Sequence, residues 1–165
     1  MPSRGLRFFA AGLILAAWAS PAAAQKTVLL VRHAEKADSS KDAALSEAGH
    51  TRARALAGLL ANAGVTAIYA SEYQRAIKTA EPLAAALNLP VRTFPAADPA
   101  GLAERLRTRH PDDVVLVVGH SNTLPDLLKC LGHSATETIA DDDFGSVFVL
   151  VPRPGVPPAV VRLRY

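Results

Sequence analysis

Cysteine occurs once in this 165-residue chain, at Cys130, so no internal disulfide can form and the fold must rest on core packing rather than crosslinks. No apolar run reaches the roughly 20 residues that a membrane-spanning helix needs; the longest candidate, Phe8 to Ala19, is too short. There is no internal repeat and no sign of a second domain. A large excess of positive charge is also missing, since 18 Lys and Arg face 15 Asp and Glu, and Arg4 and Arg7 fall in a segment expected to be removed. That near-even balance gives no reason to expect a nucleic-acid partner, whose binding needs many Lys and Arg contacts to phosphate. The one acidic run, Asp141-Asp142-Asp143, has no histidine or carboxylate spaced around it as a co-ligand, so it reads as a turn rather than a metal site.

What is present begins with the amino terminus. Arg4 and Arg7, the apolar stretch Phe8 to Ala19 and then Pro21-Ala22-Ala23-Ala24 form the charged, hydrophobic and small-residue regions of a secretory signal peptide. Residues 1–24 are therefore expected to be a cleaved leader and residues 25–165 one domain, exported to a bacterial periplasm or secreted, with no stable membrane anchor after cleavage. Half of the residues are hydrophobic, which suits a single domain with a real core.

Along that domain, short apolar runs alternate with amphipathic stretches, the pattern of an α/β sheet with helices on its faces. Thr27 to Val31 and Val114 to Val118 are near-continuous Val and Leu runs, as expected of central strands buried on both faces. Ser46 is placed to cap a helix that turns Ala53, Leu56, Leu59 and Leu60 inward. A short strand is expected over Ala67 to Ala70, then a helix from Ala76 to Leu87 that Pro82 should bend or interrupt. Phe94 to Gly101 reads as a loop, Leu102 to Arg109 and Thr123 to Leu131 as helices, and Ser146 to Val151 with Val160 to Arg164 as a closing hairpin with a long turn.

Three segments carry chemistry: Val31-Arg32-His33-Ala34-Glu35, Ser71 through Arg75 to Thr79-Ala80, and Gly119-His120-Ser121-Asn122. Each lies where a strand ends or a helix begins, and ligands of open α/β sheets bind beyond the carboxyl ends of strands. Two histidines and two arginines at one sheet edge are suited to hold a phosphoryl group and attack it. Neutral imidazole is a nucleophile at ordinary pH without a metal, and planar guanidinium groups grip phosphate oxygens bidentately. No cofactor or metal is expected.

These segments, with Leu45-Ser46-Glu47-Ala48-Gly49 between them, resemble in order and content the histidine phosphatase superfamily, also called phosphoglycerate mutase-like. The resemblance implies a three-layer α/β/α sandwich with a mostly parallel central sheet. It implies that His33 attacks phosphorus to form a phosphohistidine, with Arg32, Arg75 and His120 holding the phosphate of a phosphomonoester. Ser121 and Asn122 are secondary candidates for the same cradle, Lys36 for positive charge at the rim, and Glu35 for an acid or for a partner that orients an arginine. The general acid is open. One branch of the family carries a carboxylate directly after the second histidine, where this chain has Ser121. Another takes it from the loop after the arginine helix, where Asp98 is the best match and is equally suited to cap a helix, with Glu104 behind it. Hydrolysis is expected over mutase activity, because the family's mutases carry longer insertions that shield the site.

The substrate implied is a small phosphorylated molecule or a phosphorylated envelope component. Two other readings use the same residues: a phosphate-binding module without turnover, and a serine hydrolase in which Gly119-His120-Ser121-Asn122-Thr123 nearly matches a nucleophile elbow, with His133 as the only downstream histidine. His50, His110 and His133 match no motif and are expected to be solvated. If the leader is cleaved, mass spectrometry of the exported chain should find a start at about Gln25; an intact N-terminus in the membrane fraction would show an anchor instead.

Overall fold

The structure, a computed structural model, describes residues 27–153 and 155–165. The expected leader, residues 1–24, and the expected start of the domain at residue 25 lie outside the described residues. The elements run β1 (Thr27–Arg32), α1 (Glu47–Leu60), β2 (Val65–Ser71), α2 (Gln74–Leu87), β3 (Val91–Phe94), α3 (Pro99–Arg109), β4 (Val114–Gly119), α4 (Thr123–Cys130), β5 (Ser146–Arg153) and β6 (Val156–Arg164). They form one six-stranded sheet in the order β3-β2-β4-β1-β5-β6. The first four strands of that order pair in parallel, and β5 and β6 add on antiparallel. Among the described residues, no helix is long and apolar enough to cross a membrane.

Strand alternation divides the core between the two faces of the sheet. Leu29, Val31, Leu116 and Val118 pack with Leu56 and Leu60 of α1 and with Ala76, Ala80 and Leu83 of α2. Val28, Leu30, Val115 and Val117 pack on the other face with Leu102 and Leu106 of α3 and with Leu124, Leu127 and Leu128 of α4. The expected three-layer α/β/α sandwich follows from this, and β1 and β4 are its buried centre. Fully burying a side chain such as Leu30 or Leu116 contributes roughly 1.5–3 kcal/mol relative to leaving it in water.

Several local expectations are corrected. Val91–Phe94 is an edge strand, β3, where no strand was anticipated; its middle residues Arg92 and Thr93 are exposed, so it lacks the apolar run that marked the others. Helix α2 starts at Gln74 and runs unbroken through Pro82, because the carbonyl that the proline cannot satisfy belongs to Lys78 on the exposed side. Leu59 is half exposed rather than inward. α3 begins at Pro99, and the closing hairpin is longer and its turn tighter than the sequence suggested. His110 is buried, not solvated: Tyr69 Oη lies 2.9 Å from its Nε2 and Asp113 2.7 Å from its Nδ1. His133 is partly buried beside Glu137, and His50 is exposed as expected.

Ser46 caps α1 as expected, its hydroxyl accepting from the Gly49 amide at 3.1 Å. The first turn of α1 also closes on the segment after β1, since the Ser46 amide donates to the Glu35 carbonyl at 2.9 Å. A Cβ on Gly49 would stand 2.3 Å from that same carbonyl oxygen. Gly49→Ala should therefore destabilise the fold by about 1–3 kcal/mol, the usual cost of overpacking, read as a lowered urea midpoint; an unchanged midpoint would show that the segment after His33 yields freely.

Candidate active site

The parallel register assembles the site. Arg32 of β1 pairs with Gly119 of β4, and the ladder continues one step further as the His33 amide donates to the Gly119 carbonyl at 2.9 Å. The next residue on each strand is then a histidine, and the two rings meet edge to face with centroids 5.1 Å apart. On the other side of β4, Ala70 of β2 pairs with Val118, which brings Ser71 level with Gly119 and within 2.7 Å of His120 Nε2. Arg75 follows in the first turn of α2. His33, Arg75, His120, Ser121, Asn122 and Thr123 line one cleft of about 430 Å³, joined by Lys41, Tyr73, Ala96 and Ala97.

Each ring is oriented by a group that can only accept or only donate. His33 Nδ1 lies 2.7 Å from the Ala34 carbonyl, so it carries the proton and leaves the Nε2 lone pair bare. His120 Nδ1 faces Arg75 Nη2 at 3.4 Å and must accept, so its proton sits on Nε2 and is donated to Ser71 Oγ. Burial and the positive charges of Arg75 and Arg32 lower both histidines: His33 to about 3, partly offset by the Ala34 carbonyl, and His120 to about 4. Both are thus neutral at physiological pH, with His33 4% and His120 7% exposed.

Arg32 is held from the far side. Its Nη1 donates to the carbonyls of Ala140 and Asp141, at 2.8 and 2.7 Å, and its guanidinium stacks on Phe144 at 4.3 Å. Asp143, in the same turn, is buried and ion-paired with Arg162, with its carboxylate also accepting from Ser146. The acidic run is therefore a turn, as expected, but one that fixes a site arginine. Arg75 stacks on Tyr73 at 4.4 Å and donates from Nη1 to the Lys41 carbonyl. The buried Nε atoms of both arginines have no hydrogen-bond partner among the described residues. Thr79 couples the two halves: its Oγ1 accepts from the Ala34 amide at 2.9 Å and donates to the Arg75 carbonyl at 2.7 Å.

Three residues singled out in the sequence stand apart from this cluster. Glu35 pairs bidentately with Arg52 of α1, not with a site arginine, because α1 closes on the segment after β1. Lys36 is exposed in an isolated bridge to Leu45, and the lysine lining the cleft is Lys41. Asp98 caps α3, accepting from the Gly101 amide at 2.8 Å. No Asp or Glu is among the residues lining the cleft. The elbow geometry also fails, since His133 lies past the end of α4 and pairs with Glu137, while the serine that meets a histidine is Ser71. Among the described residues, no group of three or more His, Cys, Asp and Glu side chains could hold a metal. Ser71 and Thr79, four before and four after Arg75, belong to a segment that the sequence singled out, without a role for either; Tyr73, Phe144 and Lys41 carry no such signal.

Because the unfolded histidines titrate near 6.5 and the folded ones lower, the unfolded state binds more protons below that pH, and stability falls as pH drops from about 6.5 towards 3. Proton NMR of the two C2–H signals should show no titration between pH 8 and 5.5. Inorganic phosphate should raise the His120 midpoint, because an anion in the cleft favours the imidazolium; a free-protein midpoint near 6.5 would overturn the neutral pair.

Residues 28–98 match the model of the histidine phosphatase superfamily (branch 1), a span that holds Arg32, His33 and Arg75. No curated protein matches the chain. Among solved structures, the protein histidine phosphatase SixA complexed with tungstate is 20% identical, with a TM-score of 0.68 over 84% of this chain and 96% of that one. A mycobacterial glucosyl-3-phosphoglycerate phosphatase complexed with VO3 is 17% identical, with a TM-score of 0.66 over 85% and 98%. A protein described as mycobacterial hydrolase 1 is 18% identical, with a TM-score of 0.65 over 85% and 98%. At such identities these likenesses speak for the fold alone. Over residues 28–98 the chain is thus similar to the histidine phosphatase superfamily, and it shares the fold of these solved structures.

Proposed function

We propose that the chain hydrolyses phosphomonoesters through a phosphohistidine on His33. The observation that carries this reading is the bare Nε2 of a neutral, buried His33 in one cleft with Arg75 and His120 and backed by Arg32. Phosphoryl transfer asks a protein mainly for in-line positioning and for charge beside the equatorial oxygens. The two guanidinium groups supply that charge, so the reading needs no metal. The Nε2 lone pair forms the P–N bond as the bond from phosphorus to the leaving oxygen breaks. The Ala34 carbonyl keeps its hydrogen bond to Nδ1–H and steadies the cationic ring. His120, protonated at Nδ1 once the anion offsets the arginines, donates to a phosphoryl oxygen. Water then attacks phosphorus, releasing inorganic phosphate and restoring His33.

The cleft wall bears on the substrate. With no carboxylate lining it, the departing oxygen draws its proton from solvent, so the site is suited to leaving groups that need little protonation. The substrate class is a small phosphorylated molecule or a phosphorylated envelope component, met outside the cytoplasm if the leader at residues 1–24 directs export.

Rapid quenching of turnover should trap acid-labile, base-stable phosphate on the protein, and His33→Ala should lose roughly 10³-fold or more in hydrolysis of an aryl phosphate. Alkyl phosphates should be slower by about 10²- to 10⁴-fold, the usual worth of a general acid, and Asp98→Asn should leave that ratio unchanged. Hydrolysis retained in His33→Ala would overturn the mechanism. Phosphate binding with no turnover of any substrate would favour a binding module.

A further inference from the structure

The segment between β1 and α1 brings Lys41 to the lining of the cleft and is pinned at several points. The Ala37 amide donates to the Ala44 carbonyl at 2.9 Å, and Ala43 and Leu45 are buried. Asp42 does more than close the loop. Helix α2 has no side-chain cap of its own at Tyr73, and Asp42 supplies one from outside: its carboxylate accepts from the Gln74 amide at 2.8 Å and from the Gln74 side chain at 3.3 Å. The neighbouring Lys41 carbonyl accepts from Arg75 Nη1 at 3.0 Å. The loop is thereby tied to the very turn of α2 that carries the phosphate-holding arginine.

Lys41 lines the cleft, and its ammonium has no partner among the described residues. The three carboxylates of its own segment are engaged elsewhere, Glu35 with Arg52, Asp38 with the Ser40 amide and Asp42 with Gln74. Among the described residues that line the cleft, Lys41 and Arg75 are the Lys and Arg side chains, no Asp or Glu stands with them, and Arg75 belongs to the phosphate-holding cluster. At about 430 Å³ the cleft is also larger than a phosphoryl group alone requires.

We propose that Lys41, held in place by Asp42, forms a second anion subsite, so that the preferred substrate is a small phosphorylated molecule carrying a further anionic group such as a carboxylate. This rests on the phosphatase reading for its first subsite and adds the specificity that the first subsite lacks. The phosphoryl group sits between the arginines, and the second anion reaches the rim, where its attraction to the ammonium is salt-sensitive.

The test compares 4-carboxyphenyl phosphate with 4-carbamoylphenyl phosphate, which match in shape and differ in that charge. The full chain should favour the carboxylate by about three- to tenfold in KM with kcat nearly equal, and the preference should shrink in high salt. Lys41→Met should abolish the preference, Lys41→Arg should keep it, and Asp42→Asn should weaken it. Lys36→Met, outside the cleft, should retain it. Equal KM values in the unaltered chain, or a preference that survives Lys41→Met, would overturn the subsite. Calorimetry with the corresponding 4-carboxy- and 4-carbamoylbenzylphosphonates makes the same comparison without turnover. Failure to hydrolyse either ester would thus count against the phosphatase reading alone, whereas equal binding of the two phosphonates would count against the subsite.

Discussion

The parallel pairing of β1, β4 and β2 is the constraint on which the rest of the site depends. Because Arg32 is level with Gly119, and Ala70 with Val118, the strand ends bring His33, His120 and Ser71 into one row at the carboxyl edge of the sheet. A slip of one residue would turn every side chain of a strand to the opposite face, so the Val and Leu runs that fill both core layers also fix where the histidines stand. Gly119 allows the close turn into α4, since a Cβ there would meet a methyl carbon of Leu124 at 2.7 Å. Core packing and site geometry are thus set by the same ladder.

Electrostatics then gives the row its character. Two imidazoles are buried beside two guanidinium groups, and both desolvation and like charge keep them neutral. The hydrogen bonds to Ala34 and from Arg75 decide which nitrogen of each ring carries the proton. Burial also lowers the pKa of Arg32, against which the charges of Asp141 and Asp143 act, and the 140–144 turn holds its guanidinium by two carbonyls and an aromatic face. A site rich in donors, with no Asp or Glu among the described residues that line it, favours anions over cations.

The layered α/β fold was legible because strands buried on both faces must be continuously apolar and helices packed on one side must be periodic. Arg32, His33 and His120 were legible as candidates because they lie at the ends of those strands, and Arg75 because it opens the helix after β2. β3 was not, since an edge strand with exposed middle residues has no apolar run to display. For Glu35 and Asp98 the sequence left two roles open, and the structure takes the arginine partner and the helix cap; these residues and Lys36 are next in sequence to the site, yet each is claimed by a neighbour, Arg52, the Gly101 amide or Leu45.

The sequence alone determined the residue types, their order and their placement at strand ends, because short-range periodicity and composition are local properties. Tertiary structure decided which side chains meet. Tyr73 against His120, Phe144 beneath Arg32, Thr79 against the Ala34 amide, and Lys41 in the cleft lining are contacts between segments far apart in the chain. Such contacts arise from sheet order and loop path, which no local pattern encodes, and they determine how the candidate site residues are oriented, charged and enclosed.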